Sequence, residues 1–140
     1  MAGNAQPIFA RVGKVSWAQA ATAVTGADLT NGSLIFTADA TNGSIVSEVR
    51  VKYLPGTSTA ATAFRIWINN GSSLAATNNN TLIAEITMPA ITTSQVAATP
   101  DFVVPLSRGG IILPPGYRMY ATVGTYSTGT FMITAIGGDY

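Results

Sequence analysis

The stretch Ile45-Val46-Ser47-Glu48-Val49-Arg50-Val51-Lys52-Tyr53 decides the fold class. Ile45, Ser47, Val49, Val51 and Tyr53 share one face of an extended chain, and Glu48, Arg50 and Lys52 share the other. Successive side chains of a β-strand point to opposite faces, so this period of two predicts a half-buried strand with its charges turned outward. The pattern repeats elsewhere. Phe64, Ile66 and Ile68 alternate with Arg65 and Trp67, and Leu82, Ala84, Ile86 and Met88 alternate with Glu85 and Thr87. Further strands are expected over 8–17, 34–38, 102–106, 117–124 and 130–136. Helical periodicity is weak. Its one candidate, 18–27, is rich in alanine but diluted by Thr22, Val24 and Thr25.

Turn chemistry supports the same reading. Asn31-Gly32, Asn42-Gly43 and Asn70-Gly71 pair the two residue types that best tolerate positive φ. Pro55-Gly56 and Pro114-Pro115-Gly116 mark turns in which proline fixes φ. Pro89, Pro100 and Pro105 would interrupt a central ladder, which assigns them to strand ends or edges. Thr30-Asn31-Gly32-Ser33-Leu34-Ile35 recurs as Thr41-Asn42-Gly43-Ser44-Ile45-Val46, one turn used on either side of a short strand. Eight strands at roughly the spacing of sandwiches and barrels predict an all-β protein, a jelly-roll-like antiparallel β-sandwich. Nothing resembles a linker, so residues 1–140 read as one domain. The segment 1–7 reads as a flexible N-terminal arm and 137–140 as a C-terminal tail.

Composition excludes most chemistry. Seven basic and six acidic residues in 140 leave 9% charged, against about a quarter in ordinary soluble domains. With no His and no Cys, a Ser–His or Cys–His nucleophile cannot be built, and disulfides are absent. Carboxylates are the only strong metal ligands left, so neither a metal nor a cofactor is expected. Glu48 and Glu85 read as solvent-facing strand charges, and Asp28 and Asp101 as backbone caps, rather than a catalytic pair. The basic residues Arg11, Lys14, Arg50, Lys52, Arg65, Arg108 and Arg118 are scattered, and the formal charge is +1, which argues against nucleic acid. Residues 1–7 lack the features of a signal peptide, and no run of 18 apolar residues occurs. No membrane is expected, and synthesis in a cytoplasm is.

Association is the favoured expectation. Strand edges carry unpaired N–H and C=O groups, and a chain poor in charge has little with which to guard them. A net charge near zero also promotes association. Trp67 beside Arg65, and Tyr120 beside Arg118, occupy faces opposite the aliphatic stripe, and Trp17 is a further large aromatic. Such aromatics suit a protein interface, a sugar platform, or local cover by loops. The candidate contact residues are therefore Gln6, Pro7, Trp17, Trp67, Tyr120, Asp139 and Tyr140, with no catalytic, cofactor-binding or metal-binding residue. A homotrimer is expected first and a dimer second.

Arg11-Val12-Gly13-Lys14, the Asn69-Asn70-Gly71-Ser72 turn, Leu113-Pro114-Pro115-Gly116-Tyr117 and the closing Ala135-Ile136-Gly137-Gly138-Asp139-Tyr140 carry a family likeness. Over most of its length the chain resembles the small all-β structural proteins of tailed bacteriophages. That resemblance implies a non-enzymatic cement or decoration protein on the capsid exterior, made in the host cytoplasm. It would lie across junctions between subunits of the major capsid protein and stabilise the head. The competing expectation is a tail or fibre module, or another carbohydrate-binding β-sandwich. An outer-membrane barrel fits the strand count but not the internal prolines or the scarcity of charge for a polar lumen.

Overall fold

The computed structural model describes residues 10–20, 22–125 and 130–140. Eleven strands are found there: β1 Val12–Ala20, β2 Ser33–Thr37, β3 Ser44–Tyr53, β4 Ser58–Thr59, β5 Thr62–Asn69, β6 Asn80–Met88, β7 Ile91–Thr92, β8 Asp101–Val103, β9 Ile111–Leu113, β10 Arg118–Val123 and β11 Phe131–Asp139. Sheet A runs β1-β11-β3-β8, with β9 pairing further along the same edge of β3. Sheet B runs β2-β10-β5-β6, and β4 and β7 form a two-stranded ribbon. All of these ladders are antiparallel. The expected all-β antiparallel sandwich is therefore what the chain forms. Apart from the β5–β6 hairpin and the β8–β9 link along the edge of β3, the main connections cross from one sheet to the other.

The core lies between the sheets. Val49, Val51 and Tyr53 from β3 and Phe131, Ile133 and Ala135 from β11 meet Phe64, Ile66, Met119, Ala121 and Val123 from sheet B. Phe131 links the layers, with its ring 5.3 Å from Tyr53 and 6.3 Å from Phe64. Each fully buried Val, Ile, Phe or Met among these contributes roughly 1.5–3 kcal/mol. On one side the sandwich is pinned by side chains. Ser16 Oγ donates to Ile35 O (2.5 Å), Ser33 Oγ to Gln19 O (2.7 Å), and Lys14 Nζ to Thr37 O (2.6 Å), so β1 and β2 occupy each other's open carbonyls.

Three expectations are corrected. In β3 the alternation holds from Val49 to Tyr53 but breaks before it. Ile136 pairs with Glu48 and Gly137 with Val46, leaving Ser47 as an extra residue. This bulge turns Ser44 and Val46 inward and puts Ile45 on the other face, because one added residue inverts every side chain beyond it. Secondly, 137–140 is no free tail. Gly137, Gly138 and Asp139 pair with both β1 and β3, and Tyr140 N donates to Gly43 O. Thirdly, the strand expected over 8–17 runs Val12–Ala20, and the helical candidate 18–27 contributes its first residues to it. The arm 1–7, with Gln6 and Pro7, lies outside the described residues.

Candidate functional site

The face of sheet A turned away from the core is the site. Register fixes its rows. One row is Gln19, Met132, Lys52 and Asp101; the next is Trp17, Thr134, Arg50 and Val103; the third is Val15, Ile136 and Glu48. β1 sends only small or amphipathic side chains inward, namely Lys14, Ser16, Ala18 and Ala20, and keeps Val15 and Trp17 for the outside. Trp17 is 71% exposed, and Val15, Val103, Ile136 and Met132 are exposed around it. The chain spends its few charges here sparingly. Arg50 pairs with Glu48 (2.6 Å) and Asp101 (3.4 Å), which leaves Lys52 without an ion-pair partner among the described residues.

The segment 93–100 stands beside this face at its Lys52 end. Ser94 and Ala97–Thr99 form one wall of a groove of about 640 Å³ whose floor includes Met132, Thr134 and Ile136. Val96 on the same segment is 96% exposed. At the opposite end of β3, Ile112 of β9 is 65% exposed beside Ile45. Apolar residues of this size left exposed make this face the candidate contact surface.

The other aromatic candidates lie elsewhere. Trp67 and Tyr120 sit opposite each other on the outer face of sheet B, but at 7% and 4% exposure they are covered. Leu29 completes their cluster, and Trp67 Nε1 donates to Thr122 Oγ1 (2.9 Å). The cover is the segment 22–32, held by Leu29 N to Leu74 O (3.1 Å) and Asn80 Nδ2 to Ala27 O (2.7 Å). Both residues are corrected from contact candidates to a satellite core. Asp139 is also turned to internal use. Its carboxylate accepts from Lys14 Nζ (3.2 Å) and, at short range, from Ser44 Oγ. Sheet A thus keeps Trp17 as its exposed aromatic, and the sequence showed neither the company of Val15, Ile136 and Met132 nor the wall at 93–100.

The edges are guarded better than composition suggested. β8 and β9 are three residues each, and β6 carries a bulge at Ile83, between the Ile66–Ala84 and Trp67–Leu82 pairs. Short strands and bulges discourage strand addition. These edges therefore offer strand addition little purchase, and the open sheet face is the candidate contact surface.

Each carboxylate has a local partner. Asp28 Oδ1 accepts from Thr30 Oγ1 (2.6 Å) and Thr30 N (2.9 Å), while Asp39 Oδ1 accepts from Asn42 N (2.7 Å) and Thr41 N (2.9 Å). These bonds hold both carboxyls below the ordinary carboxylate range. Glu85 pairs with Arg65 at 2.6 Å. Among the described residues no three His, Cys, Asp or Glu side chains gather into a metal-sized cluster, and no helix is long and apolar enough to cross a membrane. No family model matches the chain, and neither a curated protein nor a solved structure resembles it significantly.

Proposed function

We propose that this chain is a non-enzymatic structural subunit of a virion, a cement or decoration protein of the capsid exterior. In that role it lies across junctions between major capsid subunits and reinforces the head, after synthesis in the host cytoplasm. The observation that carries the proposal is the uncovered outer face of sheet A. A β-sandwich with a complete core of its own leaves Trp17, Val15, Val103 and Ile136 in water, which suits a subunit designed to be packed. The strand order adds support. With β8 and β9 counted as one interrupted strand, two sheets of four run 1-11-3-8/9 and 2-10-5-6, an interleaved order that supports the jelly-roll reading. The phage-like turn motifs supply the setting.

Reinforcement would be additive, since many copies on a symmetric lattice multiply a modest contact. A sugar platform gains less support, because Trp17 is bordered by Val15, Gln19 and Thr134, and the neighbouring groove carries no Asn and a single carboxylate, Asp101, which is paired with Arg50. The test is co-sedimentation of the purified protein with tailed-phage heads of the same origin that lack it. Saturable binding that raises the temperature at which heads release DNA is expected. Absence of binding overturns the virion role.

A further inference from the structure

We propose that the outer face of sheet A is a two-fold contact with a second copy of this chain, its axis lying in the interface, across the strands, over the Trp17–Thr134–Arg50 row. The inference rests on the reading of the chain as an assembly subunit and names the occupant of its uncovered face.

The arrangement of charge along β3 carries it. Glu48 and Lys52 flank Arg50 at equal distances, two residues to either side. Rotation about the stated axis reverses the strand direction and leaves each strand facing its own counterpart. Lys52 then meets Glu48 of the second copy, and Glu48 meets its Lys52, so the unpaired cation of one face finds an anion on the other. The adjoining strands obey the same operation. On β11, Met132 and Ile136 flank Thr134 and face one another across the axis; on β1, Trp17 lies on the axis and meets Trp17. Arg50 also meets its counterpart, but each already has Glu48 and Asp101 at hand on its own chain.

The alternative axis, along the strands between β11 and β3, would set Met132 against Lys52 and Ile136 against Glu48. That buries charge against apolar surface, a costly arrangement. The chosen axis also accounts for the ends of the face. It carries the 93–100 wall of one copy from the Lys52 end to the Glu48 end of the other, on the β8–β9 side, where Ile112 is exposed. Four strands about 4.8 Å apart, and some seven residues per strand, give a face roughly 20 Å by 25 Å. That is of the order of a single side of a modest specific interface.

Charge reversal with mixing tests this directly, because both side chains are at the surface and neither supports the core. Sedimentation should give the wild type twice the chain mass of 14.4 kDa at high concentration. Glu48→Lys alone and Lys52→Glu alone should each weaken self-association at least about tenfold. An equimolar mixture of the two variants should recover wild-type association, since each contact between positions 48 and 52 again joins opposite charges. As a second readout, Thr134→Cys lies on the axis of a chain with no other cysteine, and a short bismaleimide should link it into dimers far faster than Thr87→Cys on sheet B. A wild type that stays monomeric at high concentration, single variants that associate normally, a mixture that fails to recover, or equal cross-linking at both cysteines overturns the proposal. A monomer that still binds heads removes the two-fold contact alone, whereas a dimer that ignores heads removes the virion role alone.

Discussion

At the scale of single residues, glycine and aspartate carry the least visible structural duties. A Cβ on Gly137 would overlap the carbonyl oxygen of Ile45, across from the bulge at Ser47. Gly137→Ala should therefore lower unfolding free energy by about 2–4 kcal/mol, read from the midpoint of urea denaturation, even though strand propensity favours the substitution. The Gly137-Gly138 pair was visible in the sequence, but its reason was not, because the clash comes from a strand some ninety positions away in the chain (Ile45). Asp28 was legible as a cap, since a short carboxylate two residues before a turn N–H is a local signal. Asp39 caps in the same way but was not singled out, and Asp101, expected to cap, instead lies in β8 with its carboxylate on Arg50. The two copies of the repeat, which begin two residues after Asp28 and Asp39 respectively, make unlike turns, as Gly43 adopts φ +77° and Gly32 does not adopt positive φ. Because folding holds both carboxyls below their ordinary range, their contribution is present above the unfolded pKa and is lost as pH falls through the folded one. Wild-type stability should decline below about pH 5, and Asp28→Asn with Asp39→Asn should flatten that decline in melting temperatures measured across the acid range.

At the scale of elements, period-two alternation was a good guide to strands and to their faces, and it stopped there. It set Trp67 and Tyr120 on the side of sheet B away from the core, which is where they lie. It carried no information about 22–32 folding back over that side, because the segment has no periodicity and its anchors, Leu74 and Asn80, are distant in sequence. The same limit explains β3: a bulge is set by the partner strand, so Ile45 and Ser47 kept their apparent phase in the sequence. Leu29→Ala tests the satellite core. Leu29 is fully buried between Trp67 and Tyr120, so its truncation should cost about 2–3 kcal/mol. It should also open 22–32 to limited proteolysis, with cleavage mapped by mass spectrometry, while the sandwich persists. Unchanged protease resistance would mean that the cover is held by its hydrogen bonds rather than by this side chain.

At the scale of the whole molecule, the scarcity of charge has a specific geography. Cations and anions that do occur hold the corner between β1 and β2, the turns, the β5–β6 hairpin and one line along β3, while the aliphatic and indole groups of β1 and β11 remain uncovered on sheet A. The sequence raised the expectation of association, but it could not choose between edges and faces, since that depends on where β6 bulges and how short β8 and β9 are. The most direct measurement is acrylamide quenching of tryptophan fluorescence over a wide range of protein concentration. Trp67 should be shielded throughout. Trp17 should be freely quenched in dilute solution and protected as the chain associates. If Trp17 stays as accessible in concentrated solution as in dilute, the outer face of sheet A is not where these molecules meet.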